Sequence, residues 1–177
     1  AVFSATAGTT CYVDAGNLGK CYGLTMDADG QTITKGSTAA TLPTGTVSLL
    51  TVVELSTTKA LACYKDTVVK CAALAYASGE VTLEATAVKA DVSGANAATL
   101  VALARLSDTT AVGCYAANSK GTCDIITYAG SSTALATGTS VDFEAGGSPS
   151  AITVSAFSTS KAMVCWYRAT SGSCQVL

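Results

Sequence analysis

Apolar positions along this chain fall in short runs of strand length. Val47–Leu55 (V-S-L-L-T-V-V-E-L) is apolar enough to be a strand buried on both faces. A Ser-Thr-Thr turn follows, and Lys59–Lys65 reads as a second strand. Asp66–Val69 turns the chain into a third, Lys70–Ala77. Ser78-Gly79 turns it again, and Val81–Ala90 alternates as a fourth strand before a loop at Asp91–Asn96. The same order returns in Thr99–Leu106, Ala111–Ala116, Thr122–Tyr128 and Ala134–Phe143, closing on Gly146-Gly147-Ser148-Pro149. Residues 95–105 carry weak helix-capping signals, but their register with Val47–Leu55 and Ile152–Phe157 assigns a strand there.

The order returns because the sequence repeats. Ser56–Cys71 (S-T-T-K-A-L-A-C-Y-K-D-T-V-V-K-C) has altered copies at Ser4–Cys21, Ser107–Cys123 and Ser158–Cys174. From Ser4 to Ser56, Ser107 and Ser158 the steps are 52, 51 and 51 residues. Phe3, Leu55, Leu106 or Phe157 precedes each serine, and Tyr12, Tyr64, Tyr115 or Trp166 follows each first cysteine. A fixed period of this size marks a repeat architecture. The copies span 1–46, 47–98, 99–149 and 150–177, the first with a clipped first strand and the last without a fourth.

Four strands in about 51 residues is the size of a propeller blade. The fold predicted is all-β, a propeller-like set of four blades with the last incomplete. A β-trefoil and an open repeat array are the alternatives, although a trefoil has no place for the additional hairpin.

The cysteines fall in four pairs separated by 9, 7, 8 and 8 intervening residues. This spacing sets each pair on adjacent antiparallel strands. Bridges Cys11–Cys21, Cys63–Cys71, Cys114–Cys123 and Cys165–Cys174 are predicted, one per copy. Because side chains alternate along a strand, the aromatic after each first cysteine lies on the opposite face. Tyr12, Tyr64, Tyr115 and Trp166 are therefore candidates for packing between sheets, or for a set of platforms on which sugars stack.

Composition narrows the function. Hydrophobic residues make up 49% of the 177, but alanine and valine dominate, and charged residues are only 12%. The small and β-branched bias suits closely stacked sheets. The net charge of −2 includes no basic cluster, which argues against nucleic acid. Eight cysteines without histidine or a short C-x-x-C knuckle point to disulfides in an oxidising compartment and away from zinc. No apolar run is long enough for a membrane span. The Ala1-Val2-Phe3 start is expected of a mature secreted chain. No N-glycosylation sequon is present, and the serines and threonines leave O-glycosylation open.

Two motifs resemble sites and have plainer explanations. Asp27-Ala28-Asp29-Gly30 looks like the start of a calcium loop, yet it occupies a repeat turn where Asp and Gly are favoured. Asp142 and Glu144 sit two residues apart, like a glycosidase pair, but a solvated strand edge is the simpler account. No metal or cofactor site is expected. Without histidine, a spare cysteine or a phosphate-binding glycine loop, neither is an enzyme.

The pattern [F/L]-S-x-[T/S]-x-[A/G]-x-x-C-[Y/W], with its second cysteine seven to nine residues on, resembles secreted tandem β-repeats of microalgae and other protists. The resemblance covers the whole chain and implies propeller-like arrays; it carries over no catalytic or binding residue. From the residues themselves the expectation is an extracellular structural protein that assembles with itself, head to tail, into a ring or filament. Unpaired strand edges at the two ends are expected to support that assembly. A carbohydrate-binding module is the alternative.

Overall fold

The computed structural model describes residues 1–43, 45–84, 88–89, 100–117, 119–130, 135–147 and 149–177. They form four separate antiparallel sheets, with no helix and no closed barrel. The first sheet holds β1 (Val2–Ser4), β2 (Ala7–Val13), β3 (Gly19–Met26), β4 (Ile33–Lys35) and β5 (Ala40–Thr41). The second holds β6 (Leu49–Ser56), β7 (Lys59–Lys65), β8 (Val69–Ala77), β9 (Glu80–Leu83) and β10 (Val88–Lys89). The third holds β11 (Leu100–Arg105), β12 (Thr110–Ala117), β13 (Lys120–Tyr128), β14 (Leu135–Thr137) and β15 (Val141–Glu144). In the fourth are β16 (Ala151–Ser158), β17 (Lys161–Arg168) and β18 (Ser171–Val176). Each sheet is drawn from one copy of the repeat, so the sequence period is a structural period.

The first three strands of each copy are simple meanders. In the second sheet, Ala77 pairs with Glu80 around Ser78 and Gly79, both at positive φ. That two-residue turn matches the right-handed twist of its strands. The expected strand at Val47–Leu55 starts two residues later, at Leu49, and is half-buried along most of its length. Val47 is buried ahead of it, its N–H bonded to the Asn17 carbonyl.

The fourth strand departs from expectation. Each of the first three copies is expected to lay down one continuous outer strand, as at Ala134–Phe143. Instead β4 and β5 pair separately with β3, and β14 and β15 separately with β13. Both breaks begin at a glycine, Gly36 or Gly138, whose N–H makes the last ladder bond. In the first copy the next two backbone N–H groups, of Ser37 and Thr38, turn out of the ladder to the carboxylate of Glu80. The expected Asp91–Asn96 loop, residues 85–87 and Ala90 of the expected Val81–Ala90 strand, Thr99 and Ala134 at expected strand ends, and Ser148 lie outside the described residues.

Alternation gives every sheet two unlike faces. One carries the disulfide and the other the aromatic that follows its first cysteine. The sheets stack in sequence, always with the cysteine face of one against the aromatic face of the next. Phe3, Cys11 and Cys21 pack on Ala62, Tyr64 and Leu74. Leu55, Leu61 and Cys63 pack on Ala111, Ile126 and Tyr128. Val112, Cys114 and Cys123 pack on Ala162, Val164 and Trp166. Among the described residues no buried cluster joins the fourth sheet to the first.

The first joint is close enough to need glycine. A Cβ on Gly23 would lie 2.1 Å from the Gly79 carbonyl oxygen, and one on Gly36 would lie 2.6 Å from it. Backbone cannot yield there as a flexible side chain would. Gly23→Ala should therefore force the first two sheets apart and cost about 2 kcal/mol, read as a lowered urea midpoint. An unchanged midpoint would mean that this approach does not hold the joint.

Candidate functional site

The residues singled out by spacing resolve into a joint used three times. All eight cysteines are bridged, in the pairs Cys11–Cys21, Cys63–Cys71, Cys114–Cys123 and Cys165–Cys174. The partners stand directly opposite one another in the ladders. Such bridges close short hairpins and stabilise chiefly by restricting the unfolded chain. The first three are enclosed by the following sheet, whereas Cys174 is exposed.

The four aromatics do not share one environment. Tyr64 and Tyr115 are buried between sheets, with 0% and 2% of their surface exposed, and present no ring to a sugar. Trp166 is half-buried against Phe143, with ring centres 4.9 Å apart. Tyr12 alone is open to solvent, at 42% exposure, and stacks on Tyr22 with ring centres 6.0 Å apart. The Lys35 ammonium lies 4.1 Å from the centre of the Tyr22 ring, a cation–π arrangement.

The carboxylates join sheets too. Glu80 of the second sheet accepts the Ser37 N–H and hydroxyl through Oε1, at 2.7 and 2.9 Å, and the Thr38 N–H through Oε2 at 3.0 Å. Those backbone donors, with the Ser37 hydroxyl, hold its carboxyl below the usual 4.5. Glu84 accepts from Lys59 and from the Tyr128 hydroxyl, bridging the second and third sheets. Burial opposes its ionisation, but Lys59 and Tyr128 outweigh that and hold it low. In return the carboxylate, and then burial, push Tyr128 up to about 12. Glu144 of the third sheet accepts the Trp166 indole N–H at 3.2 Å and Arg168 at 3.1 Å from the fourth. The Gly146 N–H, ahead of Trp166, lowers its carboxyl.

The apparent sites take structural roles. Asp27 accepts the N–H groups of Gln31 and Thr32, capping its own turn. No group of three or more potential metal ligands occurs among the described residues. Asp142 and Glu144 do not act as a pair, since Asp142 accepts from Thr122 and Lys120 within its own sheet. Asp124, missed by sequence reasoning, is buried and accepts the Tyr115 hydroxyl at 2.7 Å, while its Oδ1 has no partner among the described residues. Burial, then this carboxylate, drive the Tyr115 phenol far above its ordinary range. The gap beside them is only about 10 Å³, too small for a substrate. An open cleft of about 570 Å³ lies between the turns at Ser107–Thr109 and Ser158–Thr159. Its lining holds no aromatic ring.

Two outcomes follow. Tyr64→Ala should empty the first joint and destabilise by about 3 kcal/mol, checked by denaturant unfolding; a change within error would remove Tyr64 from the core. Glu80, Glu84 and Glu144 all have carboxyls held below 4.5 in the folded state. Their stabilisation is thus complete above that pH and is lost as pH falls through the lower folded values. The melting temperature should drop as the pH falls from about 4.5 to about 3, and Glu84→Gln should flatten part of that drop.

No protein-family model matches the chain, and no curated protein matches it, which leaves function to be inferred from these surfaces.

Proposed function

We propose that this chain is an extracellular structural protein, a stiff stack of disulfide-stapled sheets that assembles with copies of itself. The observation that carries this is the use of its polar and aromatic groups. Tyr64, Tyr115, Trp166, Glu80, Glu84 and Glu144 all serve to pack one sheet on the next. Four intramolecular disulfides suit an oxidising compartment. Secretion accords with the resemblance to secreted tandem β-repeats. A repeat that spends its distinctive residues on its own joints is built for shape and stiffness.

A carbohydrate-binding role has one specific observation in its favour. The exposed Tyr12 ring, backed by Tyr22 and flanked by Lys20 and Asp14 in an ion pair at 2.7 Å, is a flat aromatic surface with polar neighbours. It occurs in one copy only, so the site would be single rather than one per repeat.

Light scattering on the 177-residue chain separates the two readings when paired with a glycan array. Particles well above monomer mass, with no glycan bound, are expected. A monomer that persists at high micromolar concentration, or a Tyr12-dependent glycan signal without assembly, would reject the structural role.

A further inference from the structure

Three joints inside the chain are made alike, and the two half-joints that remain uncovered are of complementary kinds. Among the described residues, the first sheet leaves its aromatic face open and the fourth leaves its cysteine face open. Of the ten exposed large hydrophobics among the described residues, Val2, Tyr12 and Ile33 lie in the first sheet, and Phe157, Met163, Tyr167 and Val176 in the fourth. The ladders put Val2, Tyr12, Ile33, Met163, Tyr167 and Val176 on the open faces, and Phe157 stands in the bulge between Ala156 and Ser158, the place that Phe3 and Leu55 hold on the cysteine faces of their sheets. Val2 pairs with Gly8, Tyr12 with Lys20 and Ile33 with Met26, all opposite in sense to the cysteines. Met163 pairs with Val176 and shares the side of Cys165 and Cys174.

The internal joints show what such a face receives. Phe3 and Leu55 are 5% and 1% exposed because each is capped by the next sheet, and their counterpart Phe157 is 58% exposed. Phe3 is capped by Tyr76, ring centres 4.7 Å apart, and Leu55 packs in the cluster containing Tyr128. Tyr76 and Tyr128 each stand five residues after the second cysteine of their copy. In the first sheet that place belongs to Met26. Met26, Leu24, Ile33 and Val2 line an apolar groove of about 140 Å³ there. Likewise Tyr64 lies against the first disulfide, and Tyr12 is its counterpart. The charges are already compatible with a joint. The Asp14–Lys20 pair beside Tyr12 matches Asp66–Lys70 beside Tyr64, which flanks a formed joint.

We propose that a second copy of this chain completes the fourth joint. Its first sheet stacks on the fourth sheet of its neighbour, with Phe157 of one copy in the Met26 groove of the other and Tyr12 over Cys165–Cys174. The contact joins unlike faces, so it is heterologous and propagates head to tail. The driving force is burial of apolar surface that neither face hides alone. This rests on the self-assembly reading above and specifies its joint.

The test uses two variants of the full chain at exposed positions, Phe157→Glu and Ile33→Glu. Each leaves one half-joint intact. Sedimentation velocity should show the unsubstituted chain extending into higher oligomers and each variant alone as a monomer. An equimolar mixture should give a dimer, the native tail of Ile33→Glu meeting the native head of Phe157→Glu. Circular dichroism and an unchanged melt confirm folding; Val176→Glu replaces Phe157→Glu if that variant fails. Continued growth of either variant alone, as strand-edge addition would give, overturns the joint while leaving self-assembly standing. A dimer of one variant alone would mean like faces meet, and also overturns it. A strictly monomeric unsubstituted chain at high micromolar concentration removes both the joint and the assembly reading.

Discussion

The constraint on which the rest depends is the pairing of unlike faces, cysteine side against aromatic side, from each sheet to the next. A sheet of three to five short strands gains its stability by burying at least one apolar face against another element. Alternation along the strand makes the two faces chemically distinct without any further device. Once Cys63 points one way, Tyr64 points the other. The disulfide stiffens the hairpin that presents it, and the ring fills the space above the preceding bridge. One dipeptide thus contributes to two joints, which accounts for its recurrence at a fixed period.

Composition follows from the same constraint. Two sheets that each carry a bridge and a large ring have room for little else between them. Ala60, Ala62, Ala72, Ala111 and Ala162 are all buried at these joints. Larger residues there would repeat the collision that Gly23 avoids under the Gly79 carbonyl. The alanine and glycine content therefore reflects close sheet spacing rather than helix formation. Packing of this kind leaves little tolerance for added methylenes.

How far the fold was legible depends on which features repeat. The β7 strand, the Ser78-Gly79 turn and the four bridges are written into every period or into strong local turn chemistry. The break in the first copy's outer strand was not legible, because a contact from the neighbouring sheet takes part in it. Ser37 and Thr38 look like ordinary strand residues until Glu80 draws their N–H groups away. The roles of Glu84 and Glu144 between sheets were not legible for a related reason. They stand 13 and 21 residues after their second cysteines, so no repeat alignment pairs them. Each joint found its own acid. Tyr12 shows the opposite limit: the sequence made it equivalent to Tyr64, and only its place at an uncovered face gives it a different environment.

That difference bears on stability as well as on partners. In a stacked array, stability is close to a sum of terms for each unit and each joint, so a unit with one joint is weaker than a unit with two. The first and fourth sheets are in that position. Here the outer faces keep Phe157, Met163 and Val176 at one end and Val2, Tyr12 and Ile33 at the other. The fourth sheet is the more extreme, since every residue of β18 is exposed. Its bridge, Cys165–Cys174, thus holds a hairpin whose cysteine face is covered by no other sheet among the described residues. In the other three sheets the bridge and the covering sheet support the same strands. Covering the fourth as the others are covered would stabilise the least buried sheet of the stack, so a contact there would couple association to folding.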